Sequence, residues 1–410
     1  MRHAGGVPDD LTRLRALRTP AGQRATARAA DLLAGGAEVL AGLTRLRAEV
    51  GAELAGPAWE LARLRARARP VFGADADVLL LTADTLEQAG RPALAARRAA
   101  RLRVAGSDAA DLGCASGTDA IALARAGAAV VAVDRDPVAR ELTAANAAAL
   151  GLADRVTVVD ADVVDLVAAA EGGTVAGCRA AVLDPARRAG GRRRLDPDRW
   201  SPPWPTVAAL LDGVPRAVVK VAPGLDHARV PEGVEAEWVS AGGTVVEALL
   251  WGRGVSTAWR RASLVHGDAV LELTADEDPG SAPTGPVGTW LHEPDPAVIR
   301  SGLVALVAAD LGATLVDPTI AYLTSDAPAA SPWVASYRVD AVLPFHLKRL
   351  RALLRARGVG RVVVKKRGSA IEPEQLARQL RGPGDGSATV VVTRVAGRPT
   401  ALVCGVDPSR

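Results

Sequence analysis

The sequence predicts an α/β fold, in which a parallel sheet is covered by helices on both faces, with a helical region before it and a smaller α/β unit after it. Three observations predict this. From Ser107 onward, short apolar runs alternate with segments of helical periodicity. A turn of small residues, Asp111-Leu112-Gly113-Cys114-Ala115-Ser116-Gly117, joins the first run to the first helix. Before Ser107, apolar residues such as Leu32, Leu33, Val39, Leu40, Leu43 and Leu46 recur at three- and four-residue spacing. With 410 residues the chain exceeds one ordinary core. The expected division is 1–103, 104–275 and 276–410.

Each element follows from its own pattern. Residues from about Leu11 to Leu102 read as helices punctuated by Pro20, Pro57, Pro70 and Pro92. Strands are expected at Ala109–Leu112, Val130–Val133, Val156–Val159, Ala180–Leu183 and Ala217–Val221. Helices fill the gaps at Ala120–Ala126, Pro137–Leu150, Val163–Ala170 and Val207–Leu211. Ala236–Val239 and Val245–Trp251, joined by Gly242-Gly243, suggest an antiparallel hairpin at the sheet edge. Asp276–Gly288 is rich in Pro, Gly and acid and reads as a linker. Beyond it come helices at Pro296–Asp310, Phe345–Arg357 and Glu372–Leu380, and strands at Arg361–Lys366, Thr389–Val395 and Thr400–Cys404.

Composition narrows the function classes. Hydrophobic residues make up 49% and charged residues 23%, the balance of a folded soluble chain. The net charge is +4, almost all of the positive charge being Arg, with Lys only at 220, 348, 365 and 366. Much of that Arg reads as the codon bias of a GC-rich genome. Cysteines at 114, 178 and 404 are unpaired in spacing and imply neither a disulfide framework nor a zinc site. The five histidines are dispersed. No signal peptide or membrane-length apolar run is visible, so a cytoplasmic protein is expected. No nucleophile elbow or phosphate loop occurs, and the dinucleotide fingerprint G-x-G-x-x-G is absent, which argues against a dehydrogenase.

The chemistry gathers at strand ends. Gly113, Ala115 and Gly117 let a ligand approach the backbone where a helix presents free N–H groups. Asp111 stands in the same turn. Asp134 ends the second strand in VAVDRDP, where a carboxylate can accept both hydroxyls of a ribose. Asp162 follows the third strand, beside Val163, placed to meet an adenine amine. Each acid alone is commonly a helix N-cap. Three in register along the carboxyl rim of one sheet point to a nucleotide-like cofactor, because that rim is where open sheets bind ligands. The fourth strand ends in Asp184-Pro185-Ala186-Arg187-Arg188. Arg192, Arg193, Arg194 and Arg199 follow, with Trp200 and Trp204, a mixture suited to gripping a polyanion and stacking a base.

The turn D-x-G-x-x-x-G is similar to that of class I methyltransferases, whose acid and loop hold the amino-acid end of S-adenosylmethionine. Taken together, DLGCASGTD, VAVDRDP, LDPARR, VVKVAPGLD, WVSAGG, LHEPDPAVIRSGL, AYLTSD, YRVDAVLPFHLKRLRALLR and VVVKKRG resemble the bacterial class I methyltransferases that carry a C-terminal THUMP-like domain. Glu87-Gln88-Ala89 belongs to the same set. The resemblance covers about Ala74 to Val406. It implies a Rossmann-like seven-stranded methyltransferase sheet, S-adenosylmethionine as cofactor, and RNA (tRNA or rRNA) as partner. It implies cofactor contacts from Asp111, Gly113, Ala115, Gly117, Asp134, Arg135, Asp162 and Val163. Many members carry Gly at the position of Ala115.

For catalysis it points to Asp184, Pro185 and Arg187. In the family's nucleic-acid amino-methylases, Asp or Asn is followed by Pro, Pro and an aromatic. The carboxylate and the next carbonyl orient the target amine in line with the methyl group, while the aromatic stacks on the flipped base. Here Ala186 and Arg187 replace the second Pro and the aromatic, leaving Arg187 to stack through its guanidinium or hold a phosphate. RNA contacts are expected from Arg188, Arg192, Arg193, Arg194, Lys365, Lys366 and Arg367. Two other readings stay open: a methyltransferase for small molecules, and a catalytically silent RNA-binding protein that retains cofactor affinity. No metal is expected.

Overall fold

The computed structural model describes residues 7–88, 90–186, 188–189, 192–193, 196–267 and 269–405. The chain forms two compact units, Met1–Val234 with Leu249–Ser256, and Glu235–Ala248 with Thr257–Arg410.

The first unit opens with six helices: α1 (Val7–Arg18), α2 (Pro20–Ala34), α3 (Val39–Val50), α4 (Ala52–Phe72), α5 (Ala83–Gln88) and α6 (Pro92–Leu102). Pro20 and Pro92 occupy first-turn positions, where the missing N–H is not needed. The Thr19 hydroxyl caps α2 by accepting from Gly22 N at 3.1 Å. Pro57 and Pro70 do not break the helical run as expected but lie inside α4. Both sit near its ends, where a lost backbone bond is least disruptive, and the buried faces of Trp59, Leu61 and Leu64 hold the helix between them. Leu14, Leu46 and Trp59 share one core with Leu142 and Ala145 of α8 (Pro137–Ala149).

The sheet of this unit contains β1 (Asp108–Leu112), β2 (Ala129–Val133), β3 (Val156–Val159), β4 (Ala180–Leu183) and β5 (Arg216–Val221), in the parallel order β5-β4-β1-β2-β3. The last residues of β7 (Thr244–Trp251) lie beyond β5. Helices α7 (Thr118–Arg125), α8, α9 (Val163–Ala168) and α10 (Trp204–Gly213) connect the strands. Register sets up the site. Leu112 pairs with Val133 on one side and Leu183 on the other, so Gly113, Asp134 and Asp184 emerge side by side, one residue past their strands. Leu183 also pairs with Val219, which brings Lys220 level with Asp184.

In the second unit, β6 (Glu235–Ala241) is flanked by a parallel neighbour, β8 (Arg260–His266), which pairs antiparallel with β9 (Ala269–Ala275). The Gly242-Gly243 hairpin is therefore not the sheet edge.

A separate sheet follows, of β10 (Trp290–Pro294), β11 (Thr314–Asp317), β12 (Ile320–Ser325), β13 (Val334–Pro344), β14 (Val359–Lys366), β15 (Gly386–Val395) and β16 (Arg398–Gly405), in the order β11-β12-β10-β13-β16-β15-β14. β14 and β15 are parallel. The helix expected over Pro296–Asp310 is two, α11 (Pro296–Ser301) and α12 (Val304–Asp310), because Gly302 takes a φ of 80° and ends the first. α13 (Leu347–Ala356) and α14 (Pro373–Leu380) bury Leu350, Leu354, Leu376 and Leu380 against Val390, Val392, Ala401 and Val403. Part of the expected linker is tied down: Gly285 N donates to Leu315 O, and Leu315 N to Pro283 O.

Candidate active site

A cleft of about 400 Å³ opens along the carboxyl rim of β1, β2 and β4, within the size range of small-molecule sites. Gly113, Ala115, Asp134, Arg135, Asp162, Val163, Asp184 and Pro185 line it, so eight of the residues singled out from sequence meet there. Glu87, Ala161, Ser201 and Pro202 also line it. Glu87 comes from α5, ahead of the sheet, where only the family resemblance drew notice to it.

The loop after β1 is held open by its neighbours. Gly113 has a φ of 82°, and a Cβ there would meet Asp184 O at 3.3 Å. Ala115 takes a φ of 49°, a conformation costly for a side chain, and it explains Gly as the easier residue at that position. Gly117, with a φ of 84°, packs on Thr143 and is not part of the cleft wall. The Thr143 hydroxyl donates to Ala115 O at 3.2 Å and the Asn146 amide to Ser116 O at 3.0 Å, so α8 clamps the loop from behind.

Asp134 accepts from Ala115 N at 3.2 Å and from Asp136 N at 2.9 Å, one oxygen each. Each oxygen keeps a lone pair for a ligand hydroxyl. Asp162 caps α9 through Val164 N at 2.8 Å and accepts from Arg135 at 3.1 Å; Arg135 also donates to the Ser201 hydroxyl at 3.1 Å. The cap and the ligand-facing position are thus the same residue.

Asp111 lies beneath the loop and does not line the cleft. It is buried, and its carboxylate accepts from Ala120 N at 2.8 Å. Burial, reinforced by the charge of Asp119, pushes its carboxyl up to about 8, against the pull of Lys220 and the Ala120 N–H. In the unfolded chain it ionises near pH 4. Between those values the folded state holds a proton that the unfolded state has released, so this group makes stability fall as pH rises. Asp111→Asn keeps the acceptor and removes the titration. Its melting temperature should gain on the wild type as pH is raised from about 5 to about 8, which thermal denaturation series would show.

Under the acceptor side lies a charge network that sequence reasoning missed. Lys220 Nζ donates to Asp184 at 2.9 Å and to Asp119 at 3.0 Å. Asp119 in turn accepts from Arg98 Nε at 3.0 Å and Nη2 at 2.6 Å. Burial alone would push Asp119 up, but Arg98 and Lys220 outweigh it and hold the carboxyl well below the usual range. A Lys in the middle of a β-strand carries no local motif, so only the register reveals its partner.

Relatives now bear on the site. The chain is 36% identical over 343 residues to proteins of Mycobacterium tuberculosis, strains CDC 1551 and H37Rv, described as uncharacterized S-adenosylmethionine-dependent methyltransferases; the match covers 81% of this chain and 89% of theirs. The chain belongs to the S-adenosylmethionine-dependent methyltransferases. The family description "THUMP domain-like" matches residues 334–405 of this methyltransferase, and a domain of unknown function matches residues 10–68. A crystal structure of a protein from Porphyromonas gingivalis W83, assigned as a methyltransferase, shares the fold, with a TM-score of 0.66, 19% identity and coverage of 97% of this chain and 98% of that one.

The cleft suits that cofactor. Asp134 offers two oxygens at a strand end, Asp162 offers a carboxylate one strand further, and on the other side of Asp134 Gly113 leaves the backbone bare at the end of β1. On the expectation that Asp134 receives the cofactor ribose, Asp134→Ala should weaken S-adenosylmethionine binding about 30-fold or more by calorimetry, because the hydrogen bonds to the ribose and the anchor of Ala115 N would be lost together.

The remaining singled-out residues have other surroundings. Trp200 and Trp204 are buried edge to face, 6.2 Å apart, and are not available to stack a base. Arg187 and Arg194 lie outside the described residues. Arg188–Ala189 and Arg192–Arg193 form a two-residue antiparallel ribbon. In the second unit, Lys365 Nζ donates to Glu293 at 2.6 Å, Arg367 lies 3.8 Å from the same carboxylate, and Lys366 donates to Glu372 at 3.4 Å. Among the described residues no cluster of three metal-ligating side chains occurs, and no helix is long and apolar enough to cross a membrane.

Proposed function

We propose that this methyltransferase acts in the cytoplasm on an amine of a base in structured RNA. The observation that carries the reading is Asp184, a half-exposed carboxylate followed by Pro185, lining the same cleft as Asp134 and Asp162. When bound, S-adenosylmethionine supplies a methyl group made electrophilic by its sulfonium. Asp134 and Asp162 hold the ribose and adenine, and the Gly113–Gly117 loop holds the amino-acid end. Asp184 accepts a hydrogen bond from the acceptor amine and turns its lone pair toward the cofactor, with the Pro185 carbonyl taking a second N–H. Alignment, not proton removal, is what these groups supply, since an amine that has attacked sheds its proton readily to water.

RNA as acceptor is supported by the distribution of charge. Residues 334–405 carry fourteen Lys and Arg against four Asp and Glu, while the rest of the chain carries 36 against 42. The net excess of the THUMP-like segment is larger than that of residues 1–103, where 17 Arg face 11 acids. With Lys365 and Arg367 answered by Glu293, α13 offers a cluster of cations for phosphate. Lys348, Arg349, Arg351 and Arg355 are exposed there, and among the described residues none is in an ion pair. The test is incubation of the protein with methyl-labelled cofactor and total RNA from a strain lacking the gene, then nucleoside analysis. Label in one methylated base supports the reading, and label confined to small metabolites overturns it.

A further inference from the structure

We propose that Lys220 is the positioning residue for Asp184, the working end of a buried relay that runs Arg98–Asp119–Lys220–Asp184. The inference rests on the reading of Asp184 as the acceptor-orienting group, and it adds the device that fixes the orientation. The Lys220 side chain, on β5, is 9% exposed and meets Asp184 from behind the cleft wall. Its ammonium sits between two carboxylates, 2.9 Å from Asp184 Oδ2 and 3.0 Å from Asp119 Oδ2. Asp119 cannot drift, because the Arg98 guanidinium, 1% exposed, holds its other oxygen through two N–H groups. Asp184 is therefore pinned through Oδ2, and Oδ1 has no protein partner among the described residues. A single oxygen of known direction is left to receive the acceptor.

Charge balance supports the arrangement. In the contacts named here among the described residues, two cations face two anions, and the buried neighbour Asp111 is pushed toward its neutral form. The ammonium also offsets the burial of Asp119, so rate and melting measurements together separate its orienting role from its structural one. The ammonium supplies direction to the only member of the network that lines the cleft. A carboxylate free to turn would present either oxygen, and misplacement by about 1 Å costs about 100-fold in rate.

The test compares Lys220→Met, Lys220→Arg, Asp184→Asn and the charge-balanced double variant Lys220→Met/Asp184→Asn. Label transfer is measured into both the RNA and the small-molecule fractions of an extract from a strain lacking the gene. Melting temperature and cofactor affinity are measured on the same preparations. Lys220→Met is expected to lower kcat about 30-fold with little change in KM and with cofactor affinity within about threefold, and Lys220→Arg to recover most of the rate. In the Asp184→Asn background, Lys220→Met should cost nothing further, and the melting shifts of the two single variants should not add. Where Lys220→Met does not fold, the double variant against Asp184→Asn carries the comparison.

An undiminished kcat in Lys220→Met, a full further loss on top of Asp184→Asn, or a loss that Lys220→Arg does not restore and that follows melting temperature, would each overturn the proposal. Label found only in small molecules and lost in Lys220→Met keeps the relay and removes RNA. Label in RNA that persists in Lys220→Met does the reverse. No transfer by the wild type removes both.

Discussion

Asp184→Ala should reduce methyl transfer by about 100-fold or more while cofactor affinity stays within about threefold. The asymmetry follows from where each carboxylate stands. Asp134 is tied to the cofactor loop through Ala115 N and Asp136 N. Asp184 touches neither of these and takes its hydrogen bond from Lys220, on the opposite neighbour of β4. On the proposed roles, truncating it removes the acceptor's guide and leaves the ribose and adenine contacts in place. It also removes one of the carboxylates that Lys220 faces, so a loss of thermal stability accompanies the loss of rate. Labelled-cofactor transfer and calorimetry on the same preparation check both halves. Parallel loss of cofactor affinity would show instead that Asp184 supports the cofactor side of the cleft.

The core of the candidate cleft was legible because strand ends announce themselves. An apolar run of four or five residues followed by Asp, as in VAVD or AAVLD, fixes both the strand and the side chain that leaves it at the rim. The strands β1 to β5 fall within about one residue of their expected limits for the same reason. What stayed hidden depends on pairing at long range. Lys220 reads as one more residue of VVKV until the register of β4 and β5 sets it beside Asp184. Trp200 and Trp204 read as available rings because sequence carries no measure of burial. β10 to β13 went unseen as strands: WLHEP and TLVD are short and mixed in polarity, and they become strands only through antiparallel partners elsewhere in the sheet. Asp111 looked equivalent to Asp134, yet it sits two residues before the loop begins to expose its backbone, and its carboxylate points into the start of α7.

Replacing Lys348, Arg349, Arg351 and Arg355 together by Ala should weaken binding of tRNA-sized RNA about 100-fold at low salt and flatten the salt dependence by about three to four charges. The helix is built to offer these groups. Its apolar face, Leu350 and Leu354, is buried against the sheet, so the cations stand on the solvent face with no acid between them. From Ala341 to Ile371 the chain contains no Asp or Glu at all. A phosphate backbone meets that run without repulsion, and each contact releases a counterion, so the salt slope counts the contacts. Lys365→Ala is the matched control. Its ammonium already serves Glu293 and lies over the Tyr337 ring at 5.3 Å, so its loss should leave the slope unchanged and lower the melting temperature instead. The four substitutions are exposed and remote in sequence from the cleft residues, so cofactor affinity should not move. Binding that survives with its full salt slope would place the RNA on another face of the molecule.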